Sequence, residues 1–507
     1  ISINIDGRTA IYFNQLKSYG QLNWDENSRT AAIVLPVSTP EPKPVSRHTT
    51  QLDPESSNVY HQPMNRSLLP NTIRVGLMFG DSAPATVSLL SPTGFSIGSY
   101  EYDDFESFLQ MENTDRIIMK ADNSLYITSL RPYNDLNSLF REMDEWQHLK
   151  EQVNMIPLYQ ENKWQLVLGP FLSVREADNI INELHLDESQ WGIISSTSNY
   201  TLIEDRQGKP VLVFTLDSPL YISASSGNSK DNVVQIGSTK YRGTITGLNH
   251  GNNKIAVINK LPVEEYLYGV IPKEMPQSWH LEALKAQAVA ARGFALASIG
   301  KFENLGFDIC TTENSQVYGG YSSEHATTNQ AVNTTWGLVM TYEGELVIPY
   351  YHSNSGGHTE STEYVWNEAV PYARGVKDPF SLEAPHAEWE VTLSFHEIES
   401  MIKSLGYPSI KISDIWIEKY SPSGRAIQLT VEGNGDSIDM TKQDTRWALG
   451  LRSNYFELTQ NGNSVIIQGR GYGHGVGMSQ HGARIMAESG YSWQQILSHY
   501  YTDISIE

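Results

Sequence analysis

Ile271-Pro272-Lys273-Glu274-Met275-Pro276-Gln277-Ser278-Trp279 sets one carboxylate between two prolines, and an Ala-rich run, His280–Ile299, comes directly after it. Proline locks its own φ and pushes the residue before it towards extended conformations. This spacing predicts a stiff, non-helical turn that holds Glu274, with Ser278 as N-cap of the next helix. Leu284, Ala288, Ala291 and Ala295 recur at helical spacing and predict a long helix over His280–Ile299. Met275, Pro276 and Trp279 put apolar groups around Glu274. Desolvation disfavours an ionised carboxyl, so this setting raises its pKa and suits a general acid. The plain alternative is a solvated turn glutamate, since glutamates are rarely buried.

Towards the C-terminus lies Gly469–Ala483 (GRGYGHGVGMSQHGA). Its glycines do not make GxGxxG, because position 476 is Val, and no Lys-Ser or Lys-Thr comes after them, so it is not a phosphate loop. Glycine lets backbone approach backbone or ligand closely. His474, Ser479, Gln480 and His481 would then offer hydrogen bonds along a cleft. The alternative for His474 is a packed, satisfied histidine. Ser353–His358 lacks the GxSxG pattern, and nothing supplies an ordered Ser-His-acid set, so a serine nucleophile is set aside.

The whole chain has 507 residues, which at roughly 150 per domain suggests about three domains. Its formal net charge is −22. That balance argues against a nucleic-acid binder and against docking on anionic lipid through a basic patch. Hydrophobic residues make up 39% and charged residues only 19%, and the remainder is rich in hydroxyls, amides and glycine, which with the tyrosines suits a neutral polymer such as a sugar chain. Cys310 is the only cysteine, so an intrachain disulfide and a zinc site of several thiolates are both excluded. No run of 18 apolar residues exists to span a membrane. A chain that starts at Ile1 reads as a processed product whose export signal has been removed.

Residues 1–35 alternate as short strands, and 36–71, with Pro36, Pro40, Pro42 and Pro44, read as an extended linker. Thr72–Leu77, Thr86–Leu90, Val211–Leu216 and Leu220–Ala224 alternate as strands, so 72–110 with 199–260 forms a β-rich part. Between them, about 115–198 predicts the order β-α-β-β-α-β, two similar halves as in ferredoxin-like folds. The last block, 261–507, carries the chemistry.

Two resemblances organise these readings. Trp164–Phe171 (WQLVLGPF), with Ala177 and Leu184, resembles the second half of a SPOR domain, and Ser124–Trp146 is similar to the first half. SPOR domains bind peptidoglycan strands stripped of stem peptides on a sheet surface. The resemblance implies a sugar platform on the face with Gln165 and Val167, or on the opposite face with Trp164 and Leu166. Glu265–Pro276 (EYLYGVIPKEMP), Trp279 and Glu282–Arg292 (EALKAQAVAAR) resemble the SpoIID/LytB family in sequence and order. So do Ser315–Gly320 (SQVYGG), Ser353–Thr359 (SNSGGHT) and Gly469–Ala483. This implies an α+β, multidomain protein: a catalytic domain over 261–507, a β-rich subdomain, and an inserted SPOR-like unit.

The sporulation member of that family is a lytic transglycosylase whose Glu-Met-Pro glutamate is the catalytic acid, a role that carries to Glu274. Glu274 would protonate the glycosidic oxygen between N-acetylmuramic acid and N-acetylglucosamine. It would then take the proton of the sugar's own C6 hydroxyl, leaving an anhydro end. Ordinary glycosidases need two carboxylates; this reaction needs one. The resemblance makes Gln316, Tyr318, Ser355, Gly356 and Gly357 walls of the cleft, beside His474, Ser479, Gln480 and His481. Some members bind zinc before their Gln-Val-Tyr stretch, but here Ser315 and Asn314 stand where a cysteine and a histidine would be. A hydroxyl and an amide are poor replacements, so no metal and no cofactor is expected, and Cys310 reads as a small buried residue. The departure leans towards the LytB-like set, whose named member enhances a cell-wall amidase. The competing reading is therefore a wall-binding protein that serves such an amidase without cutting. Both readings place the chain outside the cytoplasm, at a bacterial cell wall, with peptide-free glycan strands as partner.

Overall fold

The computed structural model describes strands Ser2–Asn4, Gln21–Asp25 and Thr30–Val34, then residues 70–146, 153–194, 199–225, 232–251, 253–385 and 387–507. The chain divides into two compact units, Ile1–Tyr60 and His61–Glu507. In the first, Thr30–Val34 pairs antiparallel with both other strands. The linker expected over 36–71 lies outside the described residues except at its last two positions.

The second unit is a mixed α+β assembly of several sheets. One sheet of seven strands has Thr72–Met78, Ile255–Pro262 and Thr244–Asn249 at its centre. Ile255–Pro262 is buried nearly end to end, and its run of Ile, Val and Leu suits a strand covered on both faces. A second sheet has ten strands and includes the insert. Leu125–Ser129, Met155–Gln160, Lys163–Phe171 and Trp191–Ile194 pair antiparallel among themselves, with the helices Leu136–Glu145 and Val174–Glu183 between them in sequence. Asp135 and Ser173 cap those helices, accepting from Ser138 N at 2.8 Å and Glu176 N at 3.2 Å.

Two features differ from the sequence reading. Arg116–Asp122, assigned above to the insert, pairs instead with Thr86–Leu90 and Tyr200–Glu204. Met155–Gln160 also pairs parallel with Pro210–Phe214, so the insert's sheet continues into that of its host. One core runs through both, from Val87 and Leu89 through Trp164 and Leu168 to Ile245 and Val257. Local pattern shows each strand but not its neighbour.

The block 261–507 is also not one core. The helices Val263–Glu274, Leu281–Ala297, Gln480–Glu488 and Trp493–Tyr500 share a core that includes Leu267, Ala288, Ala291 and Met486. A separate core gathers Phe395, Ile398, Leu429, Val431, Val465 and Ile467. It is enclosed by two three-stranded sheets, Glu388–Ser394 with Phe456–Asn461 and Ser464–Arg470, and Ile412–Tyr420 with Ala426–Gly433 and Asp436–Thr441.

A buried ion pair ties the first of these cores together. Arg292 donates from Nε and Nη2 to both oxygens of Glu264 at 2.7 Å, and from Nη1 to Leu338 O at 2.9 Å. Gly337 N donates to the same carboxylate at 3.0 Å. Among the described residues, no helix is long and apolar enough to cross a membrane.

Candidate active site

Glu274 is the last residue of a helix, Val263–Glu274, with Pro272 inside its final turn. The expected non-helical turn is therefore corrected. Proline restricts the residue immediately before it, and before Pro276 that residue is Met275, which is extended at φ −132° and ψ 136°. Pro272 has no N–H to give to the last turn, and the helix ends two residues after it. The cap expected at Ser278 is corrected too: His280 caps the helix Leu281–Ala297, its Nδ1 accepting from Glu282 N at 3.3 Å.

The Glu274 carboxyl is half-buried, and burial pushes its pKa up. Gln480 Nε2 donates to Oε2 at 3.1 Å, and the Val317 N–H and Tyr351 hydroxyl also donate to the carboxyl, each pulling the pKa down by less than burial raises it. The charge of exposed Glu313 adds to the rise. The negative end of its own helix works in the same direction. The result is a carboxyl that is held in place and keeps its proton to higher pH than an ordinary glutamate, as an acid catalyst requires.

Each donor has a structural cause. Tyr351–His352 pairs parallel with Met478–Ser479, which brings Tyr351 and Gln480 to the same carboxyl. Tyr351 is in turn oriented by Gln316. Gln316 Nε2 donates to the Tyr351 hydroxyl at 3.0 Å and to Ala291 O at 3.2 Å, while its Oε1 accepts from Tyr266 at 3.1 Å. With its oxygen already accepting, the Tyr351 hydroxyl is left to donate to Glu274. Sequence reading missed Tyr351 and the Val317 amide. Tyr351 had a signal, since it stands two residues before Ser353–Thr359; a main-chain N–H has none.

The Gly-rich stretch brings Gln480 into place. Gly471, Gly473, Gly475 and Gly477 all have positive φ, from 69° to 111°. A Cβ on Gly477 would lie 2.0 Å from Tyr350 O, and one on Gly475 would meet the Arg425 guanidinium at 2.7 Å. Glycine alone allows this path. His474 lies on it with Nδ1 accepting from Val476 N at 3.0 Å, and its ring also bonds the Tyr351 backbone. Burial, then Arg446, pushes its pKa down to about 4, so the imidazole is neutral near pH 7.

Several residues expected to line a cleft are buried among neighbouring side chains. Tyr318 is buried and donates to Asn259 Oδ1 at 3.0 Å. Its ring packs where a Cβ on Gly269 would come within 2.5 Å. Gln316 is 1% exposed and Ser355 and Ser479 are 0%. Ser355 donates to Asp378 at 2.7 Å. Ser479 meets Ser381 at 2.7 Å and caps the helix Gln480–Glu488 by accepting from Gly482 N at 3.1 Å. Gly356 is buried against Arg470 and Gly471, and Gly357 is half-buried beside Leu382. His481 is half-buried, 5.0 Å from the Trp279 ring, and the Arg484 guanidinium lies 5.6 Å from the same ring. Cys310 is buried, with its sulfur 3.4 Å from Ser315 Oγ and 3.3 Å from Thr312 Oγ1. In the insert, Trp164 is 1% and Val167 0% exposed, so neither offers a surface to a sugar; Gln165 is half-buried. Alternation predicted two faces there, and the packing covers Trp164 and Leu166 on one and Val167 on the other.

Comparison with known proteins adds to this geometry. The stage II sporulation protein family matches residues 251–342, which include Glu274, and a domain family of unknown function matches 381–477. An uncharacterised protein of Brachyspira hyodysenteriae is 37% identical over 50% of this chain and 69% of its own length. Stage II sporulation protein D of Bacillus amyloliquefaciens is 33% identical over 49% of this chain and 75% of its own. The amidase enhancer of Bacillus subtilis is 32% identical over 46% of this chain but only 39% of its own length.

Proposed function

The chain belongs to the stage II sporulation protein D family, and on that basis we propose that it is a peptidoglycan lytic transglycosylase with Glu274 as acid and then base. The observation that carries this reading is the Glu274 carboxyl, half-buried, held by Gln480, Tyr351 and the Val317 amide, with its pKa raised by burial. Protonated, it gives its proton to the glycosidic oxygen as the bond to the anomeric carbon of N-acetylmuramic acid breaks. The carboxylate then takes the proton of that sugar's C6 hydroxyl, which closes on the anomeric carbon. No water is consumed, and the glutamate returns to its starting state. Polar donors fixed before substrate arrives need no reorganisation during the step.

The likeness to an amidase enhancer supports a second reading, a wall-binding protein that serves an amidase without cutting. Either function belongs outside the cytoplasm, at the cell wall. The SPOR-like resemblance of residues 115–198 supports peptide-free glycan as the polymer, through surfaces other than Trp164 and Val167. Mass spectrometry of peptide-free strands incubated with the protein and with Glu274→Gln separates the readings. Anhydromuramyl ends from the unaltered protein alone support the transglycosylase. Reducing ends would mean hydrolysis. Strands retained but uncut by both proteins would leave the enhancer.

A further inference from the structure

An open cavity of about 820 Å³ lies in the Glu388–Arg470 region, and Glu274 is not part of its lining. Its size falls in the roughly 300–1,000 Å³ range of small-ligand sites. Every lining residue lies within 381–477, the part matched by the domain family of unknown function. We propose that this cavity is a second saccharide site, which takes a neutral, N-acetylated stretch of glycan away from the point of cleavage.

The aromatic lining is fixed in advance. Trp389 pairs across the sheet with Gly469, where any Cβ would come within 2.2 Å of the indole. Its Nε1–H is already satisfied by Gly471 O at 2.9 Å, so the indole has only its apolar surface left to offer. Tyr455 is held by Arg425, 5.0 Å from its ring, with Arg470 at 6.0 Å. Tyr420 is 45% exposed, a large ring that the core leaves in water. Such rings match the C–H faces of a pyranose.

The polar lining suits hydroxyl and acetamido groups. Gln468 Nε2 donates to Glu390 at 2.8 Å, and Arg470 lies 3.9 Å from Glu388. Amide–carboxylate and guanidinium–carboxylate neighbours offer donors and acceptors side by side, with Glu388, Glu390 and Glu457 outnumbering Arg470. Glu457, the cross-strand partner of Gln468, adds another acceptor. A polyanion would meet this excess of carboxylates, so the lining disfavours it.

The cavity is also tied to the catalytic region. Arg425 Nη2 donates to Ser355 O at 2.7 Å, and Ser421 and Ser423 both donate to Glu360. Arg470 on the cavity wall and Gln480 at Glu274 belong to one segment, which at 3.3–3.6 Å per residue spans at most about 35 Å. One strand can therefore reach both. A second hold on the same polymer raises its effective concentration at the first.

The identity of the polymer rests on the cell-wall reading; the cavity does not, and the test separates them. Binding of N-acetylglucosamine hexamer is measured by calorimetry in the Glu274→Gln background, where cleavage plays no part. Adding Tyr420→Ala and Gln468→Ala, both at exposed positions, is expected to weaken binding at least tenfold. In the protein with Glu274 intact, the same pair should raise KM for long strands and leave turnover of short ones unchanged. Hexamer binding unaffected by the pair, or a lysine-rich peptide binding there in place of the sugar, would overturn the proposal. Absence of cleavage by the unaltered protein, with hexamer binding present and weakened by the pair, would overturn only the transglycosylase.

Discussion

Replacing Tyr351 with Phe removes one hydroxyl and keeps the ring. In the structure that hydroxyl donates to Glu274 while accepting from Gln316 at 3.0 Å. A hydrogen bond to a charged group is worth about 1.5–3 kcal/mol. At about 1.36 kcal/mol per tenfold, that is roughly ten- to hundredfold in the protonation equilibrium. Glu274 is partly open to solvent, which screens the loss and favours the lower figure. The sign depends on which form is stabilised. Tyr351 holds the ionised carboxylate, so Tyr351→Phe pushes the Glu274 pKa further up. An acid catalyst must be protonated, so the alkaline limb of the kcat/KM profile moves to higher pH. Carbon-13 NMR of labelled glutamate carboxyls reads the same shift without relying on activity. A limb and a carboxyl resonance that stay in place, or move to lower pH, would refute the hydrogen-bond chain from Tyr266 through Gln316 and Tyr351 to Glu274.

Other perturbations test different parts of the structure. Because the folded pKa of Glu274 is raised, the folded state holds its proton longer than the unfolded chain, and stability falls as pH rises through the window above the ordinary carboxylate range. Glu274→Gln should therefore melt higher than the unaltered protein at neutral pH, with the gap closing in acid, while cleavage is lost. Arg292→Met leaves Glu264 buried without its partner and should cost about 3–5 kcal/mol in denaturant unfolding; adding Glu264→Leu should recover much of it. His474, with its folded pKa down at about 4, binds protons less readily than in the unfolded chain. Its contribution is complete above the ordinary histidine pKa and is lost as pH falls from there towards about 4, so its NMR signals should not titrate between pH 6 and 8.

Much of the region around Glu274 could be read locally. The helix Leu281–Ala297 is legible in its alanines and leucines, and the order of elements in the insert in alternation and helical spacing. The rise in the Glu274 pKa was anticipated from its apolar neighbours, although the backbone there is helical rather than a turn. Neighbours distant in sequence were not readable. Nothing near Gln316 says that it orients Tyr351, and nothing in Trp164–Phe171 says that Trp164 and Val167 are both covered.

Residue order alone settles what each stretch is able to be, because propensity, capping and the φ range of glycine and proline act within a few residues. It settles neither the company those stretches keep nor which side chains face water. Gln480 meets Glu274 across 206 positions only because the strands Tyr351–His352 and Met478–Ser479 pair side by side. The insert shares its host's core because Met155–Gln160 and Pro210–Phe214 pair parallel, and the cavity of the Glu388–Arg470 region opens among strands that packing alone assembles. Such contacts depend on burying complementary surfaces far apart in the chain, and that is decided only when the whole chain has folded.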